Sequence, residues 1–310
     1  MFNTEKGARR RHMTDLKHII SKLVTLRPDQ IIDISPFKSV EDGEDYEVWS
    51  IKTKSQKYVL KKAKNYEIEV YSSFLDGISA PRFIESVNVD GDNYFITEFF
   101  DGADLCSCDR QSLKKALDAL IYLQNKFWNN NSLFNAGYSF EKSLERRIER
   151  GKFLNDSRLE SAYSDYLSLY KSLPKTLCHD DLLPFNVLVN DRSAMLIDWE
   201  FAGILPYPTS LARLLAHAEE KDGALFFMRD DDKAFAVDYY YENLLSDKGI
   251  PREEYDSAIS LFLFYEYCEW IMLGNKYEDA DMELYAKYLA KASDHLSKIS
   301  LNSGYKTENK

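Results

Sequence analysis

Between residues 178 and 200 the chain reads Cys178-His179-Asp180-Asp181-Leu182-Leu183-Pro184-Phe185-Asn186-Val187-Leu188-Val189 and then, after a short interruption, Leu196-Ile197-Asp198-Trp199-Glu200. Reduced to its polar groups this is His-x-Asp-x4-Asn followed by a second Asp. Residues 187–189 and 195–197 have the composition of two short buried strands, and Asn190-Asp191-Arg192-Ser193 between them supplies turn chemistry. A tight hairpin brings Asn186 and Asp198, twelve residues apart, to the same end of the strand pair, beside Asp181. An amide oxygen and a carboxylate converging in this way suit one or two Mg²⁺ ions, hard cations that accept few protein oxygens alongside phosphate oxygens. Asp181 is then left to accept a proton from a substrate hydroxyl. These are the parts of a phosphoryl-transfer site.

The stretch resembles the signature of the aminoglycoside phosphotransferase and choline kinase family of small-molecule kinases. There His-Gly-Asp or His-Asn-Asp precedes the Asn, and Ile-Asp-[Trp/Phe]-Glu follows; here Asp180 holds the middle position. The resemblance implies an α+β, two-lobed, protein-kinase-like fold. Its smaller lobe would be a β-sheet with one helix, within residues 1–100, and would bind the nucleotide. Residues 101–310 would form a larger, mostly helical lobe for catalysis and substrate. It also implies Mg²⁺, ATP or GTP as donor, and a His179 that braces the catalytic loop.

Such a centre needs a phosphate-binding cation and a brace for it. Tyr58-Val59-Leu60-Lys61 has the pattern of a strand that ends in a phosphate-binding lysine, and alternation turns Lys62 to the opposite face. In residues 67–78, Glu67 shares a helical face with Val70 and Tyr71, whereas Glu69 faces with Ser72 and Ser73. Glu67 is therefore the expected partner of Lys61. The resemblance agrees, because family members place this Glu fourteen residues before a Pro, here Pro81 of Ala80-Pro81. Residues 87–89 and 94–99 bracket Asp90-Gly91-Asp92-Asn93, a hairpin signal. The second strand runs into Phe99-Phe100-Asp101-Gly102, which resembles a kinase hinge. The likeness implies a base bonded to the carbonyl of Glu98 and the N–H of Phe100, with Thr97 behind it. The loop over the phosphates would fall near residues 39–46, yet it has a single glycine, Gly43, and the acids Glu41, Asp42, Glu44 and Asp45.

From Gly102 onward the apolar spacing is helical, over residues 112–128 with a cap at Ser112, then 140–153, 162–173, 211–220, 233–245, 253–273 and 281–296. The dense alternation of charge across residues 141–150 reads as a solvated helix face. At Ser210-Leu211-Ala212 many family members resemble Asp-Leu-Ala, so the steadying of the catalytic loop by that acid is weakened here or passed to another residue. Glu266, Glu269 and Trp270 fall within about one helical turn and suit a cation held by carboxylates and a ring face. With Glu200, which closes the Ile-Asp-Trp-Glu signature, they are candidate acceptor contacts. The aromatic runs around Tyr240 and Tyr265 equally suit a core.

The 310 residues carry 40 basic and 51 acidic side chains, a net charge of −11. That argues against nucleic acid as a partner and is compatible with a cationic small acceptor. No apolar run reaches membrane-spanning length, and residues 1–26 lack the apolar core of a signal peptide. Four cysteines make no disulfide framework, and Cys106-Ser107-Cys108 has no second Cys or His pair to complete a metal site. Arg9-Arg10-Arg11 reads as a solvated tail. The expected protein is a cytoplasmic monomer or dimer that moves the γ-phosphoryl group of ATP or GTP to a hydroxyl of a small, cationic acceptor. The acceptor class stays open among an aminoglycoside, a choline-like amine or amino alcohol, a macrolide and a sugar. Two other readings compete. A protein Ser/Thr kinase is opposed by the missing Phe-Gly after Asp198 and the missing Ala-Pro-Glu. A non-catalytic, kinase-shaped binding protein is favoured by Ser210 and the acidic loop.

Overall fold

The computed structural model describes residues 16–38, 45–130, 137, 139–278 and 280–304, with side chains described to residue 297. Residues 39–44, which hold most of the acidic loop, and Arg9-Arg10-Arg11 lie outside the described residues. The chain divides into two compact units, Met1–Asp101 and Gly102–Lys310.

The first unit is built on five antiparallel strands: β1 (Ile31–Lys38), β2 (Asp45–Thr53), β3 (Lys57–Lys62), β4 (Phe83–Val89) and β5 (Asp92–Glu98), in the order β1-β2-β3-β5-β4. Strand β1 carries a proline, Pro36, which an edge strand tolerates because its outer face needs no ladder donor. The β4–β5 hairpin closes on Asp90 and Gly91, both at positive φ (54° and 94°), the geometry whose twist matches the flanking strands. A short helix α1 (16–22) and the residue after it lay Leu16, Ile19, Ile20 and Leu23 on Trp49, Ile51, Tyr58 and Leu60. The apolar spacing predicts α1 to residue 26. The helix stops earlier because the N–H groups of Val24 and Thr25 donate to the Glu85 carboxylate, at 3.1 and 2.8 Å. On the opposite sheet face lies α2 (Glu67–Ser73), with Tyr71 and Phe95 rings 5.2 Å apart. It ends before the expected residue 78. Gly77, at φ +78°, turns the chain where any Cβ would meet Arg82 Cβ at 2.9 Å, and Ile78 is left exposed.

The second unit holds two small sheets, β10-β7 and β6-β8-β9, formed by β6 (Ala103–Asp104), β7 (Lys175–Cys178), β8 (Val187–Val189), β9 (Ala194–Leu196) and β10 (Gly203–Pro206). Around them are α3 (Arg110–Lys126), α4 (Phe140–Gly151), α5 (Ser157–Ser172), α6 (Pro208–Ala216), α7 (Asp230–Tyr240), α8 (Arg252–Lys276) and α9 (Met282–Gly304). The start of α3 is capped by Asp109, not Ser112: its carboxylate accepts from the N–H groups of Gln111 and Ser112. Among the described residues no helix is long and apolar enough to cross a membrane.

Helix α4 corrects the expectation of a solvated, charge-laced face. Ser143 and Arg147 are buried, Arg147 at 1% exposure, because the counter-charge of Arg147 is Asp180, supplied from far along the chain, and Ser143 shares a hydrogen bond with the Tyr170 hydroxyl. The aromatic runs are core: Tyr166 stacks on Tyr265 with ring centroids 4.7 Å apart. A second polar tie lies under α3, where Gln124 Nε2 donates to the Tyr207 carbonyl at 3.1 Å and Oε1 accepts from Tyr240 Oη at 2.5 Å. Gln124→Leu removes both bonds at a fully buried site. It should cost about 1–3 kcal/mol in urea unfolding, and a loss within experimental error would mean the tie is not structural.

Candidate active site

The β8–β9 hairpin builds the centre of the site. Its turn is closed by Asn190, whose N–H donates to the Ser193 carbonyl at 3.0 Å and whose Oδ1 accepts from the N–H groups of Arg192 and Ser193. At the open end Val187 pairs with Leu196, and the Ile197 N–H donates to the Asn186 carbonyl at 2.9 Å, one step beyond the sheet. Asn186 and Asp198 therefore leave from the same end of the strand pair. Asp198 sits at φ +64°, in the left-handed region that costs a non-glycine residue roughly 1–2 kcal/mol. The bend sends Trp199 inward, where its indole N–H donates to the Leu196 carbonyl at 2.8 Å and its ring lies 4.7 Å from that of His179.

His179 braces the preceding loop. Its Nε2 is 2.7 Å from the Ile197 carbonyl, which can only accept, so Nε2 carries the proton and Nδ1 accepts from the Asp181 N–H at 3.3 Å. Burial lowers the His179 pKa, so the ring stays neutral. The His179 N–H donates to Ser210 Oγ at 2.9 Å. The serine hydroxyl thus makes a bond to the loop at the position where the resemblance implies an acid. Asn186 Nδ2 donates to the Asp181 carbonyl at 2.8 Å, which forces the amide oxygen to face away; among the described residues that oxygen has no hydrogen-bond donor.

Asp180 explains the helix that sequence reasoning misjudged. Arg147 reaches its carboxylate at 2.6 Å through Nη2 and 3.2 Å through Nη1, and Arg146 Nη2 at 2.9 Å. The Arg147 guanidinium packs against the rings of Tyr170 and Tyr265, at 4.6 and 4.7 Å, while its Nε donates to Tyr166 Oη. Burial alone would raise the Asp180 pKa, but Arg147 and Arg146 outweigh it and hold the carboxyl below its ordinary range.

Asp181, one residue on, is engaged by Arg213 of α6: Nη2 lies 2.8 Å and Nε 3.2 Å from Oδ1. Arg213 Nη1 also donates to Glu266 Oε2 at 2.9 Å and Glu269 Oε2 at 2.7 Å, both on α8. Arg150 of α4 takes the other oxygen of Glu269. Burial pushes the Glu266 carboxyl upward, and Arg213 more than offsets it, leaving the pKa lowered. These groups line a pocket of about 240 Å³, together with Asp180, Arg146, Phe201 and Tyr265. Neither Arg147, Arg213 nor Arg150 was singled out from the sequence; only the fact that they are arginines opposite acids far away in the chain makes them legible, and no local pattern carries that. The structure also corrects the grouping of Glu266, Glu269 and Trp270 as one cation site. Both carboxylates are already in ion pairs, and Trp270 stacks on Tyr288 of α9, with centroids 5.8 Å apart, away from the pocket lining. Glu200 is half-buried and is not among the lining residues either.

In the first unit Lys61 Nζ lies 2.7 Å from Glu67 Oε1, and Glu67 is fully buried, whereas Glu69 is exposed. Lys62 points the other way, to Asp92 at 2.9 Å and Glu47 at 3.3 Å. At the end of β5, Thr97 is buried, the Glu98 side chain pairs with Arg82 at 2.5 Å, and Phe100 is half-buried. Among the described residues no group of three or more His, Cys, Asp or Glu is placed to hold a metal. Asn186 and Asp198 are a smaller set that suits a cation completed by phosphate oxygens, and the undonated Asn186 oxygen fits that role. The Cys106 and Cys108 thiols are pushed up to about 12, chiefly by burial, and so are poor metal ligands.

A five-stranded antiparallel unit with a buried Lys–Glu pair, and a helical unit with this loop and hairpin, define a protein-kinase-like fold. The chain belongs to the phosphotransferase enzyme family, whose sequence model matches residues 37–241. Solved structures share the fold. The choline kinase LicA from Streptococcus pneumoniae is 16% identical with a TM-score of 0.59, over 93% of this chain and 99% of that one. A choline/ethanolamine kinase family protein from Mesorhizobium loti is 14% identical with a TM-score of 0.60, over the same shares. A thermostable mutant of aminoglycoside phosphotransferase APH(4)-Ia, in ternary complex with AMP-PNP and hygromycin B, is 14% identical with a TM-score of 0.56, over 91% and 97%. No curated protein matches by sequence.

Asp180→Asn leaves Arg147 buried opposite a neutral amide and should cost about 3–5 kcal/mol in chemical denaturation. Adding Arg147→Met should recover a large part of that loss. Because the Asp180 and Glu266 carboxyls titrate below their unfolded values, the stability they give is complete above about pH 5 and falls as pH drops through the folded values. A single-variant cost under 1 kcal/mol, or stability that does not fall below pH 4, would contradict the ion-pair account.

Proposed function

We propose that the protein transfers the γ-phosphoryl group of ATP or GTP to a hydroxyl of a small molecule seated in the pocket beside Asp181. The observation that carries this reading is one set of hydrogen bonds. Asn186 to the Asp181 carbonyl, Ile197 to the Asn186 carbonyl, and His179 to the Ile197 carbonyl tie a candidate base and two candidate metal ligands into one rigid piece. In this reading Asp181 accepts the acceptor's hydroxyl proton. Arg213 holds Oδ1, and among the described residues Oδ2 has no hydrogen-bond partner. Asn186 and Asp198 hold Mg²⁺, which when bound neutralises charge on the phosphates. Lys61, braced by Glu67, binds phosphate oxygens, and the backbone at Glu98 and Phe100, with Thr97, receives the base. Most of the rate then comes from positioning and charge neutralisation, since phosphoryl transfer asks little covalent chemistry of side chains.

The non-catalytic alternative loses one support, because the Ser210 hydroxyl still bonds the loop. A peptide substrate is a poorer match than a small molecule to a pocket of about 240 Å³ lined by ion pairs.

Asp181→Asn keeps the size of the side chain and removes the base. It should lower acceptor-dependent ADP release by about 10²–10⁴-fold while a Mg²⁺–nucleotide thermal shift persists. Lys61→Ala should instead abolish most of that shift. Full turnover by Asp181→Asn would sink the base assignment, and no shift of the unaltered protein with either ATP or GTP would favour the non-catalytic reading.

A further inference from the structure

Every charge facing the pocket beside Asp181 is already answered from within the protein. The acids are Asp180, Asp181, Glu266 and Glu269; the cations are Arg146, Arg150 and Arg213, with Arg147 behind Asp180. Four stand against four. Asp180 is met by Arg146 and Arg147, Asp181 and Glu266 by Arg213, and Glu269 by Arg150 and Arg213. His217, behind Glu266, adds no charge at neutral pH, because burial lowers its pKa. An acceptor amine entering here must either take a carboxylate from an arginine or remain without a counter-ion in a half-buried site. An acceptor carboxylate or phosphate faces the mirror problem. Both are costly, since separating a buried pair leaves a charge uncompensated.

With the charges paired, single donor and acceptor positions on these groups remain to be used. Asp181 Oδ2, Glu266 Oε1, and the Nε and Nη2 of Arg150 have no hydrogen-bond partner among the described residues. Carboxylate oxygens accept and guanidinium N–H groups donate, which is the complement of neighbouring hydroxyls, each of which does both. The rings of Phe201 and Tyr265 supply apolar surface for the C–H face of a ring.

Resting on the phosphotransferase reading above, we infer that the acceptor is an uncharged polyhydroxylated molecule, a sugar or cyclitol, and that the pairing of Glu269 with Arg150 sets this choice of charge. Glu269 is the hinge of the balance because one oxygen holds Arg150 and the other Arg213. Neutralising Glu269 leaves the pocket one positive charge in excess; neutralising Arg150 leaves it one negative. The two variants must therefore move specificity in opposite directions, which a merely structural role would not produce.

The test uses the full-length protein, Mg²⁺ and the nucleotide that gives a thermal shift, with ADP release measured on three acceptor sets. These are neutral monosaccharides and cyclitols, amino sugars with choline and ethanolamine, and uronic acids. Neutral acceptors should give kcat/KM values at least about tenfold above those of their amino and acid counterparts. Glu269→Gln should raise the ratio of uronic acid to neutral sugar about tenfold, and Arg150→Gln should raise the ratio of amino sugar to neutral sugar by a similar factor. A retained nucleotide shift shows that each variant is folded. Turnover of amines or acids in preference to every neutral polyol overturns the inference, as does turnover of no acceptor in the panel, or ratios that both variants leave unmoved. Absence of any nucleotide shift in the unaltered protein overturns the phosphotransferase reading instead.

Discussion

A guanidinium cannot discharge itself when it is taken out of water, so a fully buried arginine obliges its surroundings to supply a negative charge. Arg147 is such a group, at 1% exposure, and Asp180 is what answers it. That one pair fixes several things together. It holds α4 against the loop that follows β7. It orients the tyrosines at 166, 170 and 265, which enclose the guanidinium by ring faces and a hydroxyl. It also pins the backbone immediately before Asp181, whose carboxylate is the candidate base. An ion pair of this kind is weak evidence for net stability, because desolvation offsets the Coulomb attraction. Its value here is geometric: a mispositioned α4 would leave two buried charges unpaired.

The same logic continues outward to the pocket. Arg213 is shared by three carboxylates, Asp181 on the loop after β7 and Glu266 and Glu269 on α8, and Arg150 joins Glu269. Each added partner lowers the freedom of the one before it, so Asp181 is held from one side by a guanidinium that cannot itself relax. Ser210 contributes at lower cost. A neutral hydroxyl accepts the His179 N–H where an acid would add one more negative charge to a region that already holds four carboxylates.

The parts legible in the sequence were those dictated over short range. The Asn190–Ser193 turn, the three-residue strands and the spacing of Asn186 and Asp198 follow from local backbone chemistry, and the structure contains that hairpin. Helical periodicity separated Glu67 from Glu69, and of these two it is Glu67 that reaches Lys61. Elements failed at their ends, where competition decides: α1 yields to Glu85, α2 to the turn at Gly77, and the cap of α3 moves from Ser112 to Asp109. Long-range charge was illegible. Arg147 looks from its neighbours like one more surface arginine, since nothing local reveals an aspartate 33 residues away. Glu266 and Glu269 looked available for a cation for the same reason, their partner lying 53 and 56 residues distant.

This division has a physical consequence for how one fold serves different acceptors. The candidate base and the two candidate metal ligands sit on a hairpin and loop whose geometry is set within about twenty residues, down to the left-handed Asp198 that the buried Trp199 and the His179–Ile197 bond hold in place. The charged groups that line the pocket from α4, α6 and α8 meet chiefly through ion pairs between distant segments. Changing one such partner alters the charge of the pocket without disturbing a hydrogen bond of the hairpin. Under the proposed phosphotransferase reading, acceptor chemistry can thus be retuned by single charges on the helices, while the placement of Asn186 and Asp198 stays fixed by the turn that folds it.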